Sequence, residues 1–488
     1  MLSLMIFIPI LTSVFLYILP LPLRIVKIIA LSSSTIVALI SLQLYAQFVS
    51  TNELQFIEHY DWIKSYGITY HIGVDGVSLG LVMMVSLLMP LIGLGMINRD
   101  KKGLWLNLLL AEGGIMGAAL SLDLMLFYLF WETMLLPIFF LIGLYGYGRH
   151  TFTSMKFTLY TIFGSLIMLL GILFLAISYK NQFGFYSFAL NDLSKVVLSD
   201  QASLLTFLAF MLAFAIKVPL FPFHTWLSDT YRSAPTGAVI VMSALMAKLG
   251  VYAIWRFLFT LFHETSHELS IYFIILGLFG LIYFGILAMH QSHLKRLFAF
   301  SSASHLSLIV VGIFIYDVYG LMGSAYFIVA HALSSAGLFL MVGMLYERTK
   351  THSLEALGGI AKQAPLFGFL FAFFALSTVG IPGTSGFVSE VLIILGAFNY
   401  NIYVGFVATT SILVAILFIF TMLQKTIYSA TQSATENFYD LSKTELMALI
   451  PIALLILVMG VFPNYFLEKI EPTAMDSINT THLLQGVK

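Results

Sequence analysis

The strongest constraint on this chain is a succession of long apolar runs, at 2–19, 25–48, 79–97, 104–120, 124–146, 157–178, 204–223, 238–258, 271–289, 297–315, 321–345, 366–398, 403–423 and 446–461. A helix needs about 20 mostly apolar residues to cross a hydrocarbon layer about 30 Å thick. Backbone amides and carbonyls find no partner in lipid, so such runs cross as helices. The pattern predicts an all-α polytopic membrane protein of about 14 transmembrane helices, one transmembrane unit over 1–488 with no extramembrane domain. Composition agrees: 9% of the 488 residues are charged, against about 25% in a soluble domain. A soluble globular fold is excluded. Zero formal net charge gives no field to attract nucleic acid, and the lack of cysteine excludes disulfides, thiolate metal sites and cysteine-held clusters. The run 2–19 has no basic residue before it and no small-residue cleavage site after it, so it reads as a span and not a signal peptide. The loop 52–73 alternates polar and aromatic residues, which predicts a short hairpin.

Lysine and arginine set the orientation, because they concentrate in cytoplasmic loops. With fourteen spans, fifteen of them fall on one side, including Lys101, Lys102, Lys156, Lys295 and Arg296. Only Lys64, Lys180, Lys195, Lys469 and Lys488 fall on the other. The bias predicts both termini on the non-cytoplasmic side. Arg256 lies near a helix end and can snorkel to the outer interface. Lys217 and Lys248 lie too deep for that.

Two spans are interrupted. In the seventh, the apolar run from Leu204 to Ile216 makes only about 20 Å of helix, and the crossing must continue through Lys217, Pro219, Pro222 and His224. In the twelfth, Gly380, Pro382, Gly383 and Gly386 separate two apolar halves. Each break leaves backbone groups without helical partners, which is tolerated only where protein or a water-filled cavity satisfies them. Interrupted spans at corresponding positions point to an inverted-repeat transporter. Spans 4–8 (104–258) and 9–13 (271–423) then form two inverted five-helix repeats, each with its break fourth, and 424–488 holds the last span and a short tail. Ordinary proline kinks are the alternative.

Glu132, Lys217, Lys248 and Glu390 sit deep in apolar sequence, with Glu112 a fifth candidate. One isolated charge at the bilayer centre costs about 2.5–3.5 kcal/mol, which is hard to retain for packing alone. Desolvation disfavours a lysine's charged form and a nearby carboxylate favours it. A lysine whose partner approaches or withdraws can therefore take up and release a proton. Glu132 with Lys217 is the expected pair; a fixed interhelical salt bridge is the alternative. His224, His305 and His331 suit proton relay, although buried histidines also serve as hydrogen-bonded core residues. None of these three has a second histidine four residues away, so they predict no metal site. Ser301, Ser302, Ser304, Ser334, Ser335 and Thr236 can hold water or simply pack helices.

Several runs together resemble the antiporter-like subunits of respiratory complex I. They are Leu126 to Pro137 around Glu132, Lys217 to Leu227 followed by Ala234-Pro-Thr236, and Ala247 to Tyr252 around Lys248. Further matches are Lys295 to His305, Ala330 to Phe339 and Gly73 to Ser78. The resemblance covers nearly the whole chain. Ser228 and Tyr231 depart from it, where the family usually has proline and often has histidine. Glu390 stands where the L-type and N-type members have lysine and the M-type has glutamate, so the chain looks like the M-type. The resemblance implies a proton path through Glu132, Lys217, Lys248 and Glu390 in a bacterial inner membrane, driven by redox chemistry elsewhere. This chain would hold no cofactor; FMN, iron–sulfur clusters, NADH and quinone would belong to other subunits. Neighbouring L-type and N-type chains would be its partners. A multisubunit sodium/proton antiporter, or a related hydrogenase-type or plastid-type complex, is the alternative.

Overall fold

The computed structural model describes residues 1–485, with side chains described to 479; Lys488 lies outside the described residues. Among these, twelve helices are long and apolar enough to cross a bilayer. Leu2–Ile18, Pro365–Thr378 and Ser385–Tyr400 are shorter, the last two being the halves of the run expected as the twelfth span.

Burial sorts the helices into an interior and a shell. Thr236–Leu261 and Leu294–Phe314 are enclosed on all sides and Val318–Thr349 nearly so, whereas Leu23–Gln47, Ile402–Tyr428 and Lys443–Val461 turn much of their apolar surface outward. A helix apolar all round belongs inside, and runs of small residues let such helices approach closely. In Val318–Thr349 the stretch Ala330 to Gly337 does this, with Gly337 against the Phe374 ring. Around them, His150–Phe183 exposes Leu159, Phe163, Leu166 and Leu170 along one stripe. That stripe fits a lipid-facing surface.

The polar–aromatic loop forms a hairpin: strand Gln55–Ile63 pairs antiparallel with Ile68–Val74, and Gly67 turns the chain at φ +65°. Glu58 in the first strand accepts from the Met1 ammonium at 2.7 Å and the Leu2 amide at 2.8 Å, fastening the first helix to the hairpin.

Three features refine the sequence expectation. The fifth run crosses as one span, Leu124–Tyr145, with an irregular turn at Met134 between Leu124–Thr133 and Leu135–Tyr145. The eighth run, Thr236–Leu261, contains two π-helical stretches, Val241–Met246 and Ile254–Leu258, on either side of Lys248. Such widened turns recur at functional sites because they free backbone carbonyls. The short tail is helical over Asn464–Gln485, a conformation the sequence reading left unassigned, and packs on Gly76–Gly95 and Val318–Thr349.

Candidate functional site

The first break follows from its prolines. Helix Asp200–Lys217 ends where Pro219 can donate no amide. Local donors take the freed carbonyls: the Leu220 amide reaches the Ala215 carbonyl at 2.9 Å, and the Trp226 indole reaches that of Ile216 at 3.0 Å. Lys217, 1% exposed, is left at the end of this helix with its stem against Gly250. Its Nζ lies 4.6 Å from the centre of the Trp131 ring and has no hydrogen-bond acceptor among the described residues. Glu132 is only half-buried. It is close enough for its charge to act on Lys217, yet no ion pair joins them among the described residues. Lys217 meets the Trp131 ring face, not the Glu132 carboxylate directly.

The second break lies between Pro365–Thr378 and Ser385–Tyr400, where Gly380 and Gly383 adopt φ +73° and +91°. Glu390 sits one turn into the second half, 1% exposed, and neither carboxyl oxygen meets a hydrogen-bond donor among the described residues. Gly380 backs onto it so closely that a Cβ there would lie 2.9 Å from Oε2. His305 Nε2 comes to 3.6 Å from Glu390 Oε1. The His305 and His331 rings lie 5.2 Å apart, and the Ser335 hydroxyl meets His331 Nδ1 at 3.3 Å. Lys248 is fully enclosed. It bonds the Ser243 carbonyl in the first π-helical stretch, and its charge acts on both histidines.

Five predicted residues therefore fall into one region: Lys217, Lys248, His331, His305 and Glu390. Glu132 borders it. Gly250 joins the two parts, since the Lys217 stem packs there two residues from Lys248. Lys217 Nζ, His305 Nδ1 and both Glu390 oxygens are buried without a hydrogen-bond partner among the described residues, a chemistry able to give and take protons.

The structure does not bring Glu112 or His224 into this region. Glu112 is fully buried and accepts from Ser34 Oγ at 2.6 Å. His224 sits among Phe221, Tyr283 and Phe284, with ring centres 5.9, 5.5 and 4.8 Å away. Two cations also differ from expectation. Arg256 does not snorkel outward; its Nη2 pairs with Asp75 Oδ2 at 2.5 Å and its Nε donates to the Tyr252 hydroxyl at 3.0 Å. Asp75 also caps Gly76–Gly95, so the pair ties two helices. Burial pushes the Asp75 carboxyl up, but Arg256 and the Ser78 amide hold it below the usual carboxylate range. Lys295, expected in a loop, is 1% exposed and donates to the Ala234 carbonyl at 2.8 Å. No local signal marks it, because its acceptor lies 61 residues away.

The spacing His263-Glu264-Thr-Ser-His267 matches a zinc-binding helix pattern. Here both rings edge onto Tyr316, and among the described residues no three metal-ligating groups converge.

A family model described as "NADH:quinone oxidoreductase/Mrp antiporter, TM" matches residues 121–417. The chain is 34% identical to NADH-quinone oxidoreductase subunit M of Rickettsia prowazekii, over 90% of each chain. Among solved structures it resembles a chain of respiratory complex I from Thermus thermophilus, at 30% identity and TM-score 0.91, covering 99% of this chain and 100% of that one. A chain of the Mrp complex from Dietzia shares the fold, at 20% identity and TM-score 0.87 over 100% and 98%.

Proposed function

Because the chain belongs to the NADH:quinone oxidoreductase/Mrp antiporter family of membrane subunits, we propose that it is the M-type proton-translocating subunit of a NADH:quinone oxidoreductase. The observation that carries this reading is the enclosed series Lys217, Lys248, His331, His305 and Glu390, strung between two helix breaks, in which Lys217 Nζ, His305 Nδ1 and both Glu390 oxygens are buried without a partner among the described residues. Groups fixed for packing would be fully paired. In this reading a proton passes between Glu132 and Lys217, on to Lys248, through the histidine pair, and to Glu390. The order follows adjacency. Glu112 and His224, set apart from the series, carry no step in it.

The chain supplies no redox step. FMN, iron–sulfur clusters, NADH and quinone belong to other subunits, and L-type and N-type chains lie beside it in the membrane. Fourteen crossings follow when Leu2–Ile18 and the divided Pro365–Thr378/Ser385–Tyr400 pair are added to the twelve long helices. Spans 4–8 and 9–13 then form two inverted repeats, in a bacterial inner membrane with both termini on the non-cytoplasmic side. The basic loops support that sidedness.

Two experiments test the reading. Purification of the native assembly should bring NADH–quinone activity with the chain; isolation with sodium/proton antiporter subunits alone would assign it to that branch of the family. In an assembled complex, Lys217→Ala should abolish proton translocation, and normal pumping would remove the series from the mechanism.

A further inference from the structure

Lys295 is a buried cation that the series above does not use, and it lies beneath a cavity on the basic face. The loop 290–293 and the loop 350–353 pair there through the Leu294 amide to the His352 carbonyl at 3.0 Å and the Leu354 amide to the Ser292 carbonyl at 2.8 Å. This short ladder stacks His293 on His352, with ring centres 5.1 Å apart and planes 23° from parallel. Tyr346 covers the other face of His352 at 4.4 Å. Both rings line a cavity of about 440 Å³ that also touches Tyr147, Asp229 and Arg232. That volume holds several waters at about 30 Å³ each.

His293 Nδ1 and His352 Nε2 are buried and have no hydrogen-bond partner among the described residues; His352 is only 9% exposed. The charge of Lys295 acts on both rings. Its Nζ lies 5.1 Å from the Tyr147 ring, and its acceptor is the Ala234 carbonyl, just before the eighth-run helix Thr236–Leu261. Farther along the same helix are Ser302, with a buried hydroxyl lacking a partner among the described residues, and then His305. At 3.6 residues per turn, Ser302 lies about 20° and His305 about 80° around the helix from Lys295, so the three share one half of its circumference. The chemistry therefore runs from an open cavity to a member of the enclosed series.

We propose that the His293–His352 pair and Lys295 form a proton-loading site on the basic face, feeding His305 through Ser302 and water. The proposal rests on the pumping role given above. Each imidazole accepts a proton at one nitrogen and releases the one on the other. The Lys295 ammonium passes a proton inward to water and Ser302, and the amine left behind regains one from the imidazole pair. Every group ends as it began, so no further reactant is required.

The test uses the assembled complex in sealed vesicles, with acidification and NADH oxidation followed together. The double variant His293→Gln/His352→Gln should lower proton uptake by about tenfold, and imidazole added on the basic face should restore it. Lys295→Arg keeps a donor for the Ala234 carbonyl but cannot release a proton, so it should impair uptake while the complex still assembles. Wild-type uptake in the double-histidine variant, or a loss in an assembled complex that imidazole leaves unchanged, overturns the proposal. Lys217→Ala serves as the reference. If that variant pumps normally the general reading fails; if it is inactive while the double-histidine variant is normal, only the loading site fails.

Discussion

Lys217→Met separates function from stability at the first break. Methionine nearly preserves the volume of the stem and removes the ammonium. Burying that ammonium costs about 2.5–3.5 kcal/mol, and the Trp131 face at 4.6 Å offsets about 2 kcal/mol of it once desolvated. No hydrogen bond is lost, since Nζ makes none among the described residues. The variant should therefore be more stable by about 0.5–1.5 kcal/mol, a shift of about 2- to 12-fold in the folding equilibrium. Proton translocation should nonetheless fall by about a hundredfold, the scale on which a positioned proton-transfer group acts. Thermal unfolding of the purified complex reads the first effect, and dye-quench acidification of vesicles during NADH oxidation reads the second. Lys217→Arg keeps the charge and the ring contact but not the capacity to deprotonate, so it should be stable and inactive. If Lys217→Met instead melts several degrees lower and loses pumping in proportion, Lys217 is a structural cation and the reasoning fails.

Three further outcomes are expected. Gly380→Ala and Gly383→Ala place a side chain at positive φ and should each strain the backbone by about 1–2 kcal/mol. Only the first crowds the Glu390 carboxyl, since nothing lies near a Cβ at Gly383. Gly380→Ala should therefore lower pumping severalfold more, and equal losses would show that the strain alone matters. Arg256→Met strands the buried Asp75 carboxylate, a loss of about 3–5 kcal/mol. Asp75→Asn added to it should recover part of the thermal stability, and a double variant no better than the single would refute the pair's role. Burial first, then Arg232, Lys295 and Arg296, holds the His293 imidazole down to about 4, and burial with Lys295 and His293 holds His352 down to about 2. An unfolded imidazole binds its proton near 6.5. The contribution of this pair is thus complete above about pH 6.5 and is lost as pH falls toward 4. Amide exchange in 290–296 and 350–356 should be faster at pH 5 than at pH 7.5, after correction for the intrinsic rate; unchanged protection would contradict the buried, neutral state.

The residues of the enclosed region are conspicuous in sequence for one reason: an ionisable group in an apolar run has no surface to reach. That marks Lys217, Lys248 and Glu390 from composition and position alone. The breaks are legible because proline cannot donate and glycine adopts positive φ. What the local pattern does not carry is which groups meet. Glu132 reads as the partner of Lys217, but the neighbouring Trp131 ring is what the ammonium meets. Arg256 reads as an outward cation until Asp75, 181 residues away, is placed beside it.

The sequence by itself therefore determined that this chain spans a membrane many times as helices, where two of them break, and which ionisable groups lie buried within them. Each of those follows from local chemistry: the length of an apolar run, a missing donor, a charge without water. Only the tertiary structure decided that Glu112 and His224 stand apart, that Lys248 is flanked by π-helical turns, and that Lys295 is interior. Those depend on helices distant in the chain packing side by side. Pairing in a bundle is set by shape and small-residue contacts that no single span records.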